Sequence, residues 1–229
     1  MSGAVTGAFL ITVPILFNVG FTLLAQRFDY PDILRRPTHE VLLRFRQGGS
    51  GLVLIWWGFA LSAVLFAPLV VLLAGELDDA DSAVVALSIV VGVLASIVQF
   101  LGLIRWPFLV PYLAREADRV APTSARGEAV DVVFQSFNRY FGVAVGEYLG
   151  YTLTGAWSIL TGVALIQTDA VPSWLGAIGV AVGPLFVLSS LEFLGRWEPS
   201  GLKPAGQLTP IAYILWSLWL IAVGLAFLI

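Results

Sequence analysis

Six stretches of the chain are apolar almost without interruption, at residues 4–25, 51–74, 83–104, 141–166, 174–195 and 211–229, and polar residues gather between them. Each is close to the roughly 20 residues that carry an α-helix across the hydrocarbon of a bilayer. None shows period-two alternation, and an open sheet cannot satisfy its backbone in lipid, so all six are predicted to be transmembrane helices. The expected fold is all-α, a polytopic integral membrane helical bundle forming a single domain over residues 1–229.

Between the spans, two long loops open alike: Tyr30, Pro31, Ile33, Leu34 and Arg35 in the first, Phe108, Pro111, Leu113 and Arg115 in the third. Proline ends the preceding helix in each. Thr38 in the first loop, and Thr123 or Ser124 in the third, are candidate N-caps. Glu40 follows the first, and Glu128 and Asp131 the second, where acid suits the helix dipole. Short cytoplasmic helices running into spans two and four are therefore expected.

Composition supports the lipid setting. Of the 229 residues, 59% are hydrophobic and 12% charged, with a mean hydropathy of +0.91; a soluble domain is about a quarter charged. The net charge of −3 says less than its distribution. Arg27, Arg35, Arg36, Arg44 and Arg46 follow span one; Arg105, Arg115, Arg119, Arg126 and Arg139 follow span three; Arg196 and Lys203 follow span five. Loops two and four carry no base and hold Glu76, Asp78, Asp79, Asp81 and Asp169. The positive-inside rule then places loops one, three and five in the cytoplasm and both termini outside. No base precedes the first apolar run, which is therefore expected to be a retained span rather than a cleaved signal.

Much chemistry is excluded by residue type. Cysteine is absent, His39 is the one histidine and Lys203 the one lysine. Bis-histidine haem ligation, Cys/His zinc sites, a histidine-based serine triad and a Schiff base inside the bundle all lack their residues. No intramembrane-protease Ser/His pair, Gly-x-Gly-Asp motif or paired acidic motif of an isoprenoid synthase is visible, so a membrane enzyme is the least favoured class. No cofactor or metal site is predicted. The acidic run Glu76–Asp81 lacks the alternating order of a calcium loop and reads as a solvated loop.

Span four carries the strongest signal. Gly142, Gly146 and Gly150 form a small-xxx-small ridge that admits close approach of another helix, through which another membrane subunit or a second copy can pack. Beside it, Glu147, Tyr151, Thr154, Ser158 and Thr161 recur at helical spacing and make one face polar through most of the membrane. Glu147 is a carboxylate deep in the bilayer, about 12 Å past Arg139 at the α-helical rise. An ionisable residue there costs on the order of 2.5–3.5 kcal/mol on insertion scales. Protonation, or a partner such as Arg105, lowers that cost; Asn18, Gln99, Tyr148 and Tyr151 are further candidate partners. Two readings stay open for Glu147, a network that merely orients helices and a group that handles a proton, ion or ligand.

Other features carry less. Glu192 is expected to pair with Arg196 four residues on. Arg35, Arg36, Arg44, Arg46, Arg115 and Arg119 are candidates for anionic lipid headgroups or a partner protein, or act as topology signals alone. Nucleic-acid binding is not expected from bases spread over membrane-proximal loops. Trp174 and Trp197 suit the interface. Trp56, Trp57, Trp157, Trp216 and Trp219 fall within spans and either pack the bundle or line a cavity for a lipid or quinone-like molecule. Pro14, Pro68 and Pro184 can kink spans one, two and five.

The string Phe28-Asp29-Tyr30-Pro31-Asp32-Ile33-Leu34-Arg35, the run Gly142 to Tyr151 and the late Trp216-Ser217-Leu218-Trp219 resemble a family of bacterial six-span membrane proteins classed as a domain of unknown function. The likeness covers nearly the whole chain. It implies the architecture and a bacterial inner membrane, and it transfers no site. Two functions are carried forward: an accessory or subunit module docking by span four and the arginine-rich loops, and a small transporter or ligand-handling protein centred on Glu147.

Overall fold

The computed structural model describes residues 3–198 and 200–229, and among them it contains helices and turns only. Six helices are long and apolar enough to cross a membrane: Gly3–Phe28, Thr38–Ala74, Ser82–Asp118, Ala125–Gln167, Ser173–Phe193 and Lys203–Ala226. These are spans one to six. The apolar runs locate all of them; the differences lie at their ends, where helix continues beyond the apolar core.

The loop helices do run into their spans. A helix begins at Thr38 and continues into span two through a turn at Gly49, whose φ of 58° suits a residue without a Cβ. Pro37 holds the N-cap position there, so Thr38 is the first helical residue rather than the cap. Its hydroxyl instead donates to Asp131 and accepts from Gln135 Nε2 at 2.9 Å, joining loops one and three. In loop three, Ser124 is the cap and accepts from the Gly127 N–H at 3.2 Å. Span three breaks at Leu109 and resumes as Val110–Asp118.

The proline expectations resolve differently. Span two is interrupted at Leu65, and Pro68 accounts for it, since it lacks the N–H that the Val64 carbonyl would accept. Ser96 of span three donates to the Ala63 carbonyl at 2.8 Å and reaches the Val64 carbonyl at 3.5 Å, so the break is satisfied by a neighbouring helix. Pro14 and Pro184 lie within uninterrupted helices.

Two cores hold the bundle. One joins spans one to six around Phe66, Trp157, Trp216 and Trp219. Their rings meet edge to face, with Phe66 to Trp157 at 4.8 Å and Trp157 to Trp219 at 5.9 Å. The other lies toward the arginine-bearing end, where Trp56 stacks on Trp106 at 4.4 Å and Phe28 stands against both. Trp57 is 47% exposed and faces outward. The buried tryptophans therefore pack the bundle.

Ion pairs gather the three arginine-bearing loops. Arg46 pairs with Asp118 between loops one and three, Arg35 with Glu192 at 3.4 Å between loop one and the end of span five, and Arg139 with Glu198 between loops three and five. Each is partly exposed and contributes no more than about 1 kcal/mol, so they orient the loops more than they stabilise them. At the opposite end, Thr6 donates to Glu76 at 2.8 Å, and Asp81 caps span three by accepting from the Ala83 and Val84 N–H groups. The acidic loop thus serves capping and helix contacts, and no metal-holding cluster occurs among the described residues.

Candidate functional site

Span four does not cross as a uniform α-helix. Residues Asn138–Leu149 are π-helical, bonded i to i+5, before the chain returns to α-helix at Gly150. Such stretches are rare, usually a single turn, and frequent at functional sites. The wider turn shortens the rise, so Glu147 lies less far beyond Arg139 than an α-helix would carry it.

The glycine ridge faces span three of the same chain. A methyl group placed on Gly146 would lie 3.0 Å from the Gly102 Cα, and one on Gly150 would lie 2.9 Å from the Gln99 Cγ. Gly142 is pressed by the Arg105 guanidinium. The ridge expected to admit a second copy or another subunit is already filled, because two glycines from one chain meet backbone to backbone. A second seam, not singled out from the sequence, joins spans four and five, where methyl groups on Gly155 and Gly162 would lie 2.5 Å from the Gly183 and Gly176 carbonyl oxygens. The glycines were visible; which helix each would meet was not.

Arg105 does not pair with Glu147. Its guanidinium donates to Asn138 Oδ1 at 2.9 Å and to the Gly102 carbonyl. Asn138 sits at the start of the π-helical segment, so Arg105 ties spans three and four together. Glu192 likewise finds Arg35 rather than Arg196, because span five ends in tight turns at Phe193 and Arg196 turns onto Trp197. Glu147 itself is half-buried and makes no side-chain hydrogen bond or ion pair among the described residues. The charged groups that act on it are Arg105, Glu192 and Arg35, and the phenols of Tyr30, Tyr151 and Tyr213 share its surroundings. Burial, and after it the Glu147 charge, push the Tyr30 phenol above its ordinary value against the opposing pull of Arg105.

Below Glu147 the polar stripe is closed and satisfied. Gln99 Nε2 donates to Thr154 Oγ1 at 3.1 Å, Ser158 donates to the Thr154 carbonyl at 2.8 Å, and Trp216 Nε1 donates to Ser158 Oγ at 3.1 Å. Thr161 is buried one turn further on. A cavity of about 20 Å³ lies against Gln99, Thr154, Ser62 and Tyr213, room for about one water. Asn18 is occupied elsewhere, donating to Ser217 at 2.9 Å. The structure thus joins Gln99, Thr154 and Ser158 in one network, gives Arg105 to Asn138, packs Tyr151 against Phe186 and Tyr213, and leaves Glu147 without a bonded partner among the described residues. Tyr30, Tyr213 and Asn138 were missed from the sequence, because each reaches the site from a loop, another span or a changed helical register.

Most of the singled-out arginines have partners. Arg35, Arg36, Arg46 and Arg119 pair with Glu192, Asp29, Asp118 and Glu116 respectively. Arg44 and Arg115 make no ion pair among the described residues.

The chain belongs to the family described as a domain of unknown function (DUF4386), which it matches over residues 5–224. With six apolar helices of spanning length, it is a multi-pass membrane protein of that family. No curated protein and no solved structure matches it.

Proposed function

We propose that the protein is a small transporter or ligand-handling protein whose working group is Glu147. One observation carries this reading: a carboxylate within span four has no bonded partner among the described residues, while Arg105 beside it is committed to Asn138 and the Gly102 carbonyl. A group that served only to orient helices would be hydrogen-bonded, as Gln99 and Ser158 are. An unpaired intramembrane carboxylate is suited to exchanging a proton, because its two states differ by a full charge in a poorly solvated place. Tyr30, Tyr151 and Tyr213 line the same region with hydroxyls able to donate to the charged form.

The accompanying topology has both termini outside and loops one, three and five in the cytoplasm of a bacterium, with the chain in its inner membrane. The confinement of every base to those loops supports this. Membrane lipids are its constant partners.

The test is proton flux in vesicles holding the purified protein, under an imposed pH gradient and followed with a trapped pH-sensitive dye. Wild type should dissipate the gradient faster than empty vesicles. Glu147→Gln should abolish that flux with its helical content unchanged, and Glu147→Asp should restore part of it. Wild-type flux in the Gln variant would overturn the reading.

A second reading, an accessory module that docks by its loops, is favoured by the exposed apolar residues Phe108, Tyr112, Val132 and Tyr140 at the arginine-bearing end and by Arg115, which makes no ion pair among the described residues. It predicts no protein-dependent flux in those vesicles, so the same experiment separates the two.

A further inference from the structure

A cavity of about 370 Å³ opens at the arginine-bearing end, between the last turns of span one and the helix that begins at Thr38. Its polar wall is made by Gln26, Asp29, Arg36, Glu40, Arg44 and Gln47. Two arginines face two carboxylates, so the lining is neutral as a whole but sharply divided. Arg36 and Asp29 neutralise each other at 2.6 Å. Glu40 and Arg44 stand one helical turn apart on the same face, yet among the described residues they form no bridge with each other or with any other group.

The position suits a headgroup. Ala25 and Gln26 close the membrane side of the cavity, and on the face of span one that carries Gln26, Val19 and Ile15, about two and three turns deeper, are exposed. A molecule with a charged end in the cavity and an apolar tail along Val19 and Ile15 would satisfy both surfaces. Charge decides which molecule. A purely anionic headgroup would bring its charge to Arg44 but also against Glu40, whereas one carrying phosphate and ammonium together meets each with its opposite.

We propose that this cavity binds the headgroup of a zwitterionic phospholipid bearing a primary amine. The Arg44 guanidinium donates to the phosphate, for which its planar fork is suited. The ammonium donates to the Glu40 carboxylate. A quaternary amine cannot make that bond, so ethanolamine is preferred to choline at the same net charge. The assignment is independent of Glu147.

The experiment reconstitutes the full chain in vesicles of equal parts phosphatidylethanolamine, phosphatidylcholine and phosphatidylglycerol, extracts it in mild detergent and weighs the retained lipid by native mass spectrometry. The ethanolamine lipid should be retained over each of the others by roughly three- to fivefold, the scale of one partly exposed ion pair. Arg44→Gln should lower retention of all three lipids. Glu40→Gln should keep lipid but erase the preference for ethanolamine over choline. Both positions are exposed on a helix, and circular dichroism checks that the helix persists. Equal retention of the three lipids, a preference for the glycerol headgroup, or a wild-type pattern in both variants would overturn the proposal. Displacement of the lipid by equimolar soluble phosphoethanolamine would overturn its assignment to a lipid.

Discussion

Replacing Gly102 by alanine places a methyl group 2.7 Å from the Gly146 Cα and 3.1 Å from the Phe141 carbonyl oxygen. Both obstacles are backbone, so no side chain can swing aside, and spans three and four must separate or tilt. Overpacking of this kind costs about 1–3 kcal/mol, and two rigid contacts put this case at the upper end. Alanine returns about 1 kcal/mol through its better helix propensity. The expected net loss is about 2 kcal/mol, roughly a thirtyfold shift in the folding equilibrium. Gly58 supplies the control, because a methyl group there meets nothing within 4 Å. Gly58→Ala should be neutral or gain up to about 1 kcal/mol. Reversible unfolding of both variants in mixed micelles, followed by circular dichroism, measures the difference. If Gly102→Ala proves as stable as Gly58→Ala, spans three and four do not meet at this seam, and the placement of Glu147 beside Arg105 falls with it.

Ser96→Ala should destabilise the bundle by about 1 kcal/mol in the same assay, by removing the hydroxyl that serves the Ala63 carbonyl at the Pro68 break. An unchanged midpoint would show that the broken turn finds another donor. Two of the buried tryptophans offer a contrast: Trp216 Nε1 is bonded to Ser158, whereas Trp56 Nε1 is buried without a partner among the described residues. Trp56→Phe should therefore cost less than Trp216→Phe, by about 1 kcal/mol, since only the second breaks a hydrogen bond, the Ser158 hydroxyl keeping its own bond to the Thr154 carbonyl. The reverse order would mean that the Trp56 N–H finds a partner in the membrane-embedded protein.

The architecture was legible because lipid imposes it. Long apolar runs and arginines confined to alternate loops leave little freedom in the number and order of spans. Helix ends were less legible, since the amphipathic helix at Thr38 continues through Gly49 without an apolar signature. The candidate site was legible only in part. Glu147 stands out by residue type alone, and the stripe of Thr154 and Ser158 by spacing. Its neighbours do not, because partner choice depends on geometry between helices. Arg105 takes Asn138 only where the chain is π-helical, and nothing in the spacing of Gly142 and Gly146 announces that change of register. Glu192 has an arginine four residues on, yet the helix ends before the pair can form and a distant loop supplies the partner.

The core around Trp56 and Trp106 is drawn entirely from residues between Leu24 and Phe134, whereas the other core requires residues from Leu10 to Val223. The first is therefore complete in the nascent chain once loop three has been made, before spans four to six follow. Synthesis can thus proceed with one of the two cores already assembled, and the later helices, with Glu147 among them, dock beside it to complete the other.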